Sequence, residues 1–141
     1  MKCEIRQPCK SCPYRRDVRL GFWQGIEFKD LLAHDSNQFG NMFGCHEGNK
    51  KPVEDRDFCA GWVLDQKRRG IPNLQFRLAV IQDSKVGTML NEITDGGHEL
   101  YDSIREMAEA NFEAEARLLR ERAKAAGKSK KTRTPRKGSK T

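Results

Sequence analysis

The sequence predicts a mainly α-helical fold: a small metal-stapled domain with an irregular, cysteine-rich N-terminal half, followed by a long helix and a disordered basic tail. Three observations predict this class. A length of 141 residues allows one hydrophobic core. A hydrophobic fraction of 36% is low for a globular chain, so the core needs an added staple. Finally, cysteines with metal-ligand spacing occupy a region that has few aliphatic side chains.

Residues 1–97 form the predicted metal-binding domain, which begins with irregular chain. Three apolar residues at helical spacing predict a first helix over 25–32. The turn-forming residues that follow predict a loop over 35–41. This part of the domain is therefore expected to consist of loops and short helices.

Two further helices are predicted before the domain ends. One covers 60–69 and stops at Gly70, with basic residues favourably placed in its last turn. The segment 72–82 has both an alternating pattern typical of a strand and a helical pattern. Its good helix formers, with Pro72 near the first turn, favour the helix. Two glycines at 96–97 mark the end of the domain.

A long helix is predicted from His98, with Gly127 as its stop, so that it covers 98–127. Its first half carries a rough apolar stripe. Its second half, 113–124, is mostly charge and alanine, and we expect this part to project from the body or to meet a protein partner. The tail 128–141 has too few apolar residues to offset its ordering entropy and is predicted to be disordered.

The charge of the chain is concentrated in that tail. The chain has 27 Lys and Arg against 20 Asp and Glu, a formal net charge of +7. The tail holds seven of the basic residues and no acidic one, so residues 1–127 are formally neutral. Flexible cationic segments attract nucleic acid by counterion release, although such charges can also serve solubility alone. We expect non-specific nucleic-acid contact through Lys128, Lys130, Lys131, Arg133, Arg136, Lys137 and Lys140.

Membrane insertion and export are not expected. The longest aliphatic run is the four residues 78–81, whereas a helix across a bilayer needs about 20 apolar residues. The first six residues have no apolar segment after their charge, so they do not read as a secretory signal. We therefore expect a cytoplasmic protein, in which thiols are kept reduced.

The cysteines carry the strongest functional signal. Cys9 and Cys12 are separated by two residues, a spacing that lets two thiolates converge on one ion from a tight turn. Cys45 and Cys59 are the natural remaining ligands of a tetrahedral site, and His46 is an alternate fourth ligand. Adjacent residues in extended chain point in opposite directions. We therefore expect that Cys45 and His46 do not bind the same ion, and that one of them only hydrogen-bonds to a ligand.

Zinc is the predicted metal, with an iron–sulfur cluster as the alternative. A structural zinc contributes about 10–16 kcal/mol to folding, which suits a core with few apolar residues. A cluster is also held by four thiolates, and a proline directly after a ligand, as at Cys12-Pro13, occurs in bacterial ferredoxins. Simple burial as reduced thiols fits Cys3 but not a paired motif. Disulfides are not expected, because the number of cysteines is odd and no export signal is seen.

Enzymatic activity is less expected than binding. No His-x-Glu segment precedes Pro8, which a zinc deaminase would need, and no strand-helix-strand pattern surrounds the cysteine pair, which a dithiol oxidoreductase would need. The favoured function is a non-enzymatic binding or regulatory protein that contacts nucleic acid. The alternative is an iron–sulfur redox protein or sensor. Near the Cys9–Cys12 turn, here called the knuckle, Arg15, Arg16 and Arg19 could contact phosphate, and Tyr14, Phe22 and Trp23 could stack on bases. Tyr14, Trp23 and Trp62 are better explained as a small core packed around the metal.

Three separated blocks match a known pattern in the same order. They are Pro8–Asp17, Phe43–His46 and Phe58–Trp62, which hold Cys-x2-Cys-Pro-Tyr-Arg, a Cys-His pair and Cys-Ala-Gly-Trp. In these the chain resembles a family of small, uncharacterised bacterial and phage proteins, over roughly residues 9–81. The resemblance supplies no activity, and it leaves out Cys3, the long helix and the basic tail. It implies that one site is formed by Cys9, Cys12, Cys45, His46 and Cys59.

Overall fold

The computed structural model describes residues 5–23, 25–35, 37, 39–40, 42–48, 51–52, 55–70 and 72–131. In this part of the chain there are five α-helices and no sheet, which confirms the predicted mainly helical class. The helices are α1 (Gly25–Asp35), α2 (Ala60–Arg68), α3 (Leu74–Gln82), α4 (Ser84–Asn91) and α5 (Ile104–Lys131). A short 3-10 helix covers His46–Gly48, and isolated β-bridges pair Arg15 with Leu100 and Gly44 with Phe58.

The three helices predicted before residue 97 are confirmed as α1, α2 and α3. Over 72–82 the helical pattern is the right one, and Asn73 caps α3 by accepting a hydrogen bond from the Phe76 N–H at 3.1 Å. The sequence analysis missed α4. Its signal is Asp83, whose carboxylate accepts a hydrogen bond from the Lys85 N–H at 2.9 Å at the start of that helix.

The long helix begins later than predicted, at Ile104 and not at His98. Ser103 supplies the reason, because its hydroxyl accepts a hydrogen bond from the Glu106 N–H at 3.1 Å, and the Glu106 carboxylate accepts one from the Asp102 N–H at 2.9 Å. This Ser-x-x-Glu pattern resembles a capping box and fixes the helix start. The chain before it, through Tyr101, is a loop that lies against the N-terminal segment.

The same helix does not stop at Gly127 but continues to Lys131. A single glycine inside a helix costs only about 1 kcal/mol relative to alanine, so it does not force an end. The first four residues of the predicted tail are therefore helical in their backbone. The rest of the predicted disordered tail, 132–141, lies outside the described residues.

The core sits where the N-terminal loops meet α2, α5 and α3. Trp62 is central to it, with Phe58 stacked at a centroid distance of 6.4 Å and Phe76 edge-on at 5.6 Å. Helix α1 packs along α5, where Phe28 meets Phe112 edge-on at 6.3 Å. Tyr14 and Trp62 are buried in this core, as predicted for the aromatic side chains near the knuckle.

Two polar networks connect the helices with one another and with the N-terminal loop. The Arg16 guanidinium, on the N-terminal loop, pairs with Glu106 at 2.7 Å and lies over the Tyr101 ring at 4.8 Å. The buried carboxylate of Asp65 on α2 accepts hydrogen bonds from Arg68 and Arg69, and Arg69 also pairs with Asp35 at the end of α1. These contacts fix α1, α2 and α5 relative to the cysteine region. Among the described residues, no helix has the length and apolarity that a bilayer crossing requires.

Candidate metal centre

The predicted knuckle is a tight turn. The Cys12 N–H donates to the Cys9 carbonyl at 3.0 Å, and the Arg15 N–H donates to the Cys12 carbonyl at 3.1 Å. The Arg15 side chain closes the turn from outside, because its Nη1 donates to the Cys9 carbonyl at 3.2 Å while its Nε donates to Asp17 at 2.7 Å. The turn therefore presents both thiols in one direction, as the two-residue spacing predicts.

Backbone pairing brings the two distant cysteines to this turn. Cys45 and Cys59 are 14 positions apart in the sequence, yet they flank the same β-bridge. The Cys45 N–H donates to the Asp57 carbonyl at 2.7 Å, and the Cys59 N–H donates to the Phe43 carbonyl at 3.0 Å. Cys59 also occupies the N-cap position of α2, so its sulfur lies at the positive end of the helix.

The four thiols form one continuous cluster. The sulfur atoms of Cys12 and Cys59 are 3.9 Å apart, and the Cys9 sulfur lies within 4.8 Å of that of Cys45. All four are free thiols; Cys12, Cys45 and Cys59 are buried, and Cys9 is half-buried. Ligand atoms of Cys9, Cys45 and His46 lie within 4.8 Å of one another, so this group could hold a metal ion.

The thiol pKa values reflect this crowding. Hydrogen bonds from the thiols of Cys12 and Cys45 lower the pKa of Cys9 to about 2. A hydrogen bond from Cys12 lowers the pKa of Cys59, and the backbone N–H groups at the start of α2 act in the same direction. The contact with Cys59 raises the pKa of Cys12, and the contact with Cys9 raises the pKa of Cys45; burial acts in the same direction on both. These opposed shifts follow from the proximity of the thiols to one another.

His46 lies on the same side of the chain as Cys45, which the sequence analysis did not expect. The argument from extended chain is wrong here because His46 begins the 3-10 helix, which turns its ring back towards the knuckle. Its Nδ1 is 3.9 Å from the Cys9 sulfur, and its Nε2 is 2.8 Å from the Ser11 hydroxyl, which in turn donates to Glu47 at 3.1 Å. The ring of His46 is thereby fixed with one nitrogen facing the thiols.

Trp23 was predicted to pack in the core around the metal, and it does lie beside the site. It packs edge-on against the His46 ring at 4.8 Å and donates from its indole nitrogen to the Ser11 carbonyl at 3.0 Å. Two other residues that support the site, Ser11 and Glu47, were missed by the sequence analysis. Ser11 could have been noticed from its place inside the knuckle, and Glu47 from its place beside His46.

The structure brings together all five predicted site residues, Cys9, Cys12, Cys45, His46 and Cys59. Which of them bind an ion stays a prediction. Cys3 lies outside the described residues.

The predicted nucleic-acid contacts are not tested by the structure. Lys128, Lys130 and Lys131 belong to the last turn of α5, whereas Arg133, Arg136, Lys137 and Lys140 lie outside the described residues. Near the knuckle, Arg15 and Arg16 are held by carboxylates and the Tyr14 ring is buried. These three side chains therefore have contacts within the domain itself.

The fold and this cluster define a small α-helical protein with a cysteine and histidine group able to hold a metal ion. A family model matches residues 4–123, so the chain belongs to DUF6283, a family of unknown function. The match reaches well beyond residues 9–81, the extent of the resemblance seen in the sequence, and takes in the first two thirds of α5. The chain matches no curated protein and no solved structure.

Proposed function

We propose that the protein is a non-enzymatic binding or regulatory protein whose domain is held together by one structural zinc ion. The ligands in this proposal are the thiolates of Cys9, Cys12, Cys45 and Cys59. One observation carries it: the Cys12 and Cys59 sulfurs are 3.9 Å apart. Two thiolates bound to one tetrahedral zinc at about 2.3 Å have their sulfurs about 3.8 Å apart.

The sulfur spacing argues against a four-iron cluster, in which each cysteine binds a different iron and the sulfurs are well separated. The Cys12 and Cys59 sulfurs are 3.9 Å apart, and those of Cys9 and Cys45 lie within 4.8 Å of each other. Such pairs suit ligands that share one ion. A two-iron cluster also binds its cysteines in pairs, and it is the alternative that metal analysis tests.

Burial and location support a structural role. Three of the four thiols are buried, and a zinc with four protein ligands leaves no open position for a substrate. The site joins the N-terminal turn, the β-bridge between Gly44 and Phe58, and the start of α2. A metal ion at this junction would hold together three segments of the chain that share a small core.

The basic C-terminal end supports the second part of the proposal, contact with nucleic acid. Residues 128–141 hold seven basic side chains and no acidic one, behind a body that is formally neutral. Neutralised phosphates release counterions, and this favours binding whatever the base sequence. In this proposal the zinc domain is a scaffold that carries a cationic extension.

We expect His46→Ala to keep one metal ion per chain and to weaken zinc affinity by about 10–100-fold, the usual effect of losing a hydrogen bond to a metal ligand. In the proposal, His46 contacts the Cys9 sulfur through Nδ1, 3.9 Å away, and is not itself bound to the metal. The measurement is zinc affinity by competition with a chelator, together with the thiolate charge-transfer absorption of the cobalt(II)-substituted protein.

His34→Ala is the matched control, since His34 is exposed on α1, and it should leave both readouts unchanged. Loss of metal from His46→Ala, with metal retained by Cys45→Ser, would contradict the four-thiolate set and place His46 among the ligands.

A further inference from the structure

We propose that the exposed half of α5 binds duplex nucleic acid as a rigid helix. The contact surface is one face of that helix, here called the basic stripe: Arg117, Arg120, Lys124, Lys128 and Lys131. This inference rests on the nucleic-acid contact of the proposed function. It moves the main contact from the C-terminal tail to a helix of fixed geometry.

The far half of α5 stands away from the body of the protein. Up to Gly127, where burial is described, Ala114 is the last buried residue of the helix, and every residue from Leu119 to Gly127 is exposed. The helical backbone passes through Gly127 without a break and continues to Lys131. The protein therefore presents a helical rod and not a loose chain over this region.

The spacing of the basic residues puts them on one face of the rod. From Arg117 the stripe residues follow at intervals of three, four, four and three. With 3.6 residues per turn, these intervals keep all five within about a quarter of the helix circumference. At about 1.5 Å per residue the stripe is about 21 Å long. Leu119, Arg122 and Lys130 fall on other faces.

Two acidic residues border the stripe at helical spacing, Glu113 and Glu121, each four positions from Arg117. In the part of the chain that the structure describes, no ion pair or hydrogen bond holds the side chains of Arg117, Arg120 or Lys124. The arginines of the body differ, because Arg16 and Arg69 are tied to carboxylates. After Glu115 the sequence contains a single acidic residue, Glu121. The positive charge of the rod is therefore available to an anionic partner.

Duplex nucleic acid fits this rod better than a protein does. Duplex DNA carries one negative charge per about 1.7 Å of its axis, so a stripe of this length faces many phosphates. Its major groove, about 12 Å wide, admits an α-helix. Protein interfaces instead rely on large apolar anchors, and from Leu119 onward the rod offers only that one leucine. The protein partner expected for 113–124 is thus the less favoured occupant.

Two triple variants of the full-length chain test the stripe. One is Arg117→Ala, Arg120→Ala and Lys124→Ala, which removes three charges from the stripe. The matched control is Lys85→Ala, Arg105→Ala and Arg122→Ala, which removes the same charge from exposed positions outside both the stripe and the tail. Binding to a short duplex DNA of arbitrary sequence is measured over a range of salt concentrations, with helix content checked by circular dichroism.

We expect the stripe variant to lose at least about tenfold in affinity and about three units of salt slope, since each lost phosphate contact removes about 0.9. The control should change affinity by less than about threefold. Equal losses in the two variants would overturn the stripe and leave the general cationic contact standing. If the unmodified protein does not bind duplex DNA at all, the nucleic-acid part of the proposed function fails together with the stripe.

Substitutions of Gly127 test the rigidity without changing the charge. Proline inside a helix costs about 3 kcal/mol, whereas alanine favours the helix. Gly127→Pro should therefore weaken binding to the same duplex, and Gly127→Ala should preserve or strengthen it. Equal affinity in the two variants would contradict a rigid helical contact.

Discussion

Replacement of Cys59 by serine is expected to abolish metal binding and the cooperative melting of the domain. The Cys59 sulfur is buried at the start of α2 and lies 3.9 Å from that of Cys12. A structural zinc contributes about 10–16 kcal/mol, whereas the net stability of a small domain is about 5–15 kcal/mol. When one of the four zinc ligands is removed, much of this free energy is lost. The remaining contacts should then be too weak to keep the domain folded.

The same loss is expected for serine at Cys9, Cys12 and Cys45, and the control is Cys3→Ser, which should keep full metal content and an unchanged melting temperature. Metal stoichiometry and thermal unfolding are measured on all five variants. Together they distinguish the cysteines that bind the metal from the one that does not. Full metal content with cooperative melting in Cys59→Ser would show that the ligand set is wrong.

Gly61→Ala is expected to destabilise the domain by about 1–3 kcal/mol, although the same change inside a helix ordinarily adds about 0.5–1 kcal/mol of stability. A methyl group at this position would lie 2.7 Å from the Cys12 sulfur and 2.7 Å from Cβ of Tyr14. Neither neighbour can move away easily, because Tyr14 is fully buried and Cys12 is held in the cluster. The glycine of the Cys-Ala-Gly-Trp block thus lets α2 approach the knuckle.

Gly70→Ala is the matched control, since nothing lies within 4 Å of a methyl group there. Urea denaturation of the zinc-loaded proteins measures both free energies of unfolding. We expect a lowered midpoint and weakened zinc binding for Gly61→Ala only. A midpoint equal to that of the unmodified protein would contradict the close packing of α2 on the knuckle.

The local parts of the fold were predictable from the sequence because local rules determine them. Apolar residues at helical spacing predicted α1, and the composition after Pro72 predicted α3. The ends of α5 were predicted wrongly. The bounds were placed at His98, after the glycines at 96–97, and at Gly127, and the capping residues before Ile104 were not considered. At the start, Ser103 and Glu106 form the decisive hydrogen bonds; at the end, one glycine does not break the helix.

The candidate site was predictable in its members but not in its geometry. The spacing of Cys9 and Cys12 predicts a tight turn, and the structure has that turn. The approach of Cys45 to Cys59 depends on the β-bridge between Gly44 and Phe58, a tertiary pairing with no local signature. The orientation of His46 depends on a 3-10 helix of three residues, which is too short for periodicity to reveal.

The most direct measurement of the central claim is the metal content of protein purified without oxygen. Anaerobic purification is needed because thiolates vacated by a damaged cluster can capture zinc. The account predicts colourless protein with about one zinc per chain and neither iron nor sulfide. Brown protein that holds iron and sulfide in near-equal amounts, and that bleaches in air, would contradict it and would make the cluster the centre of the function.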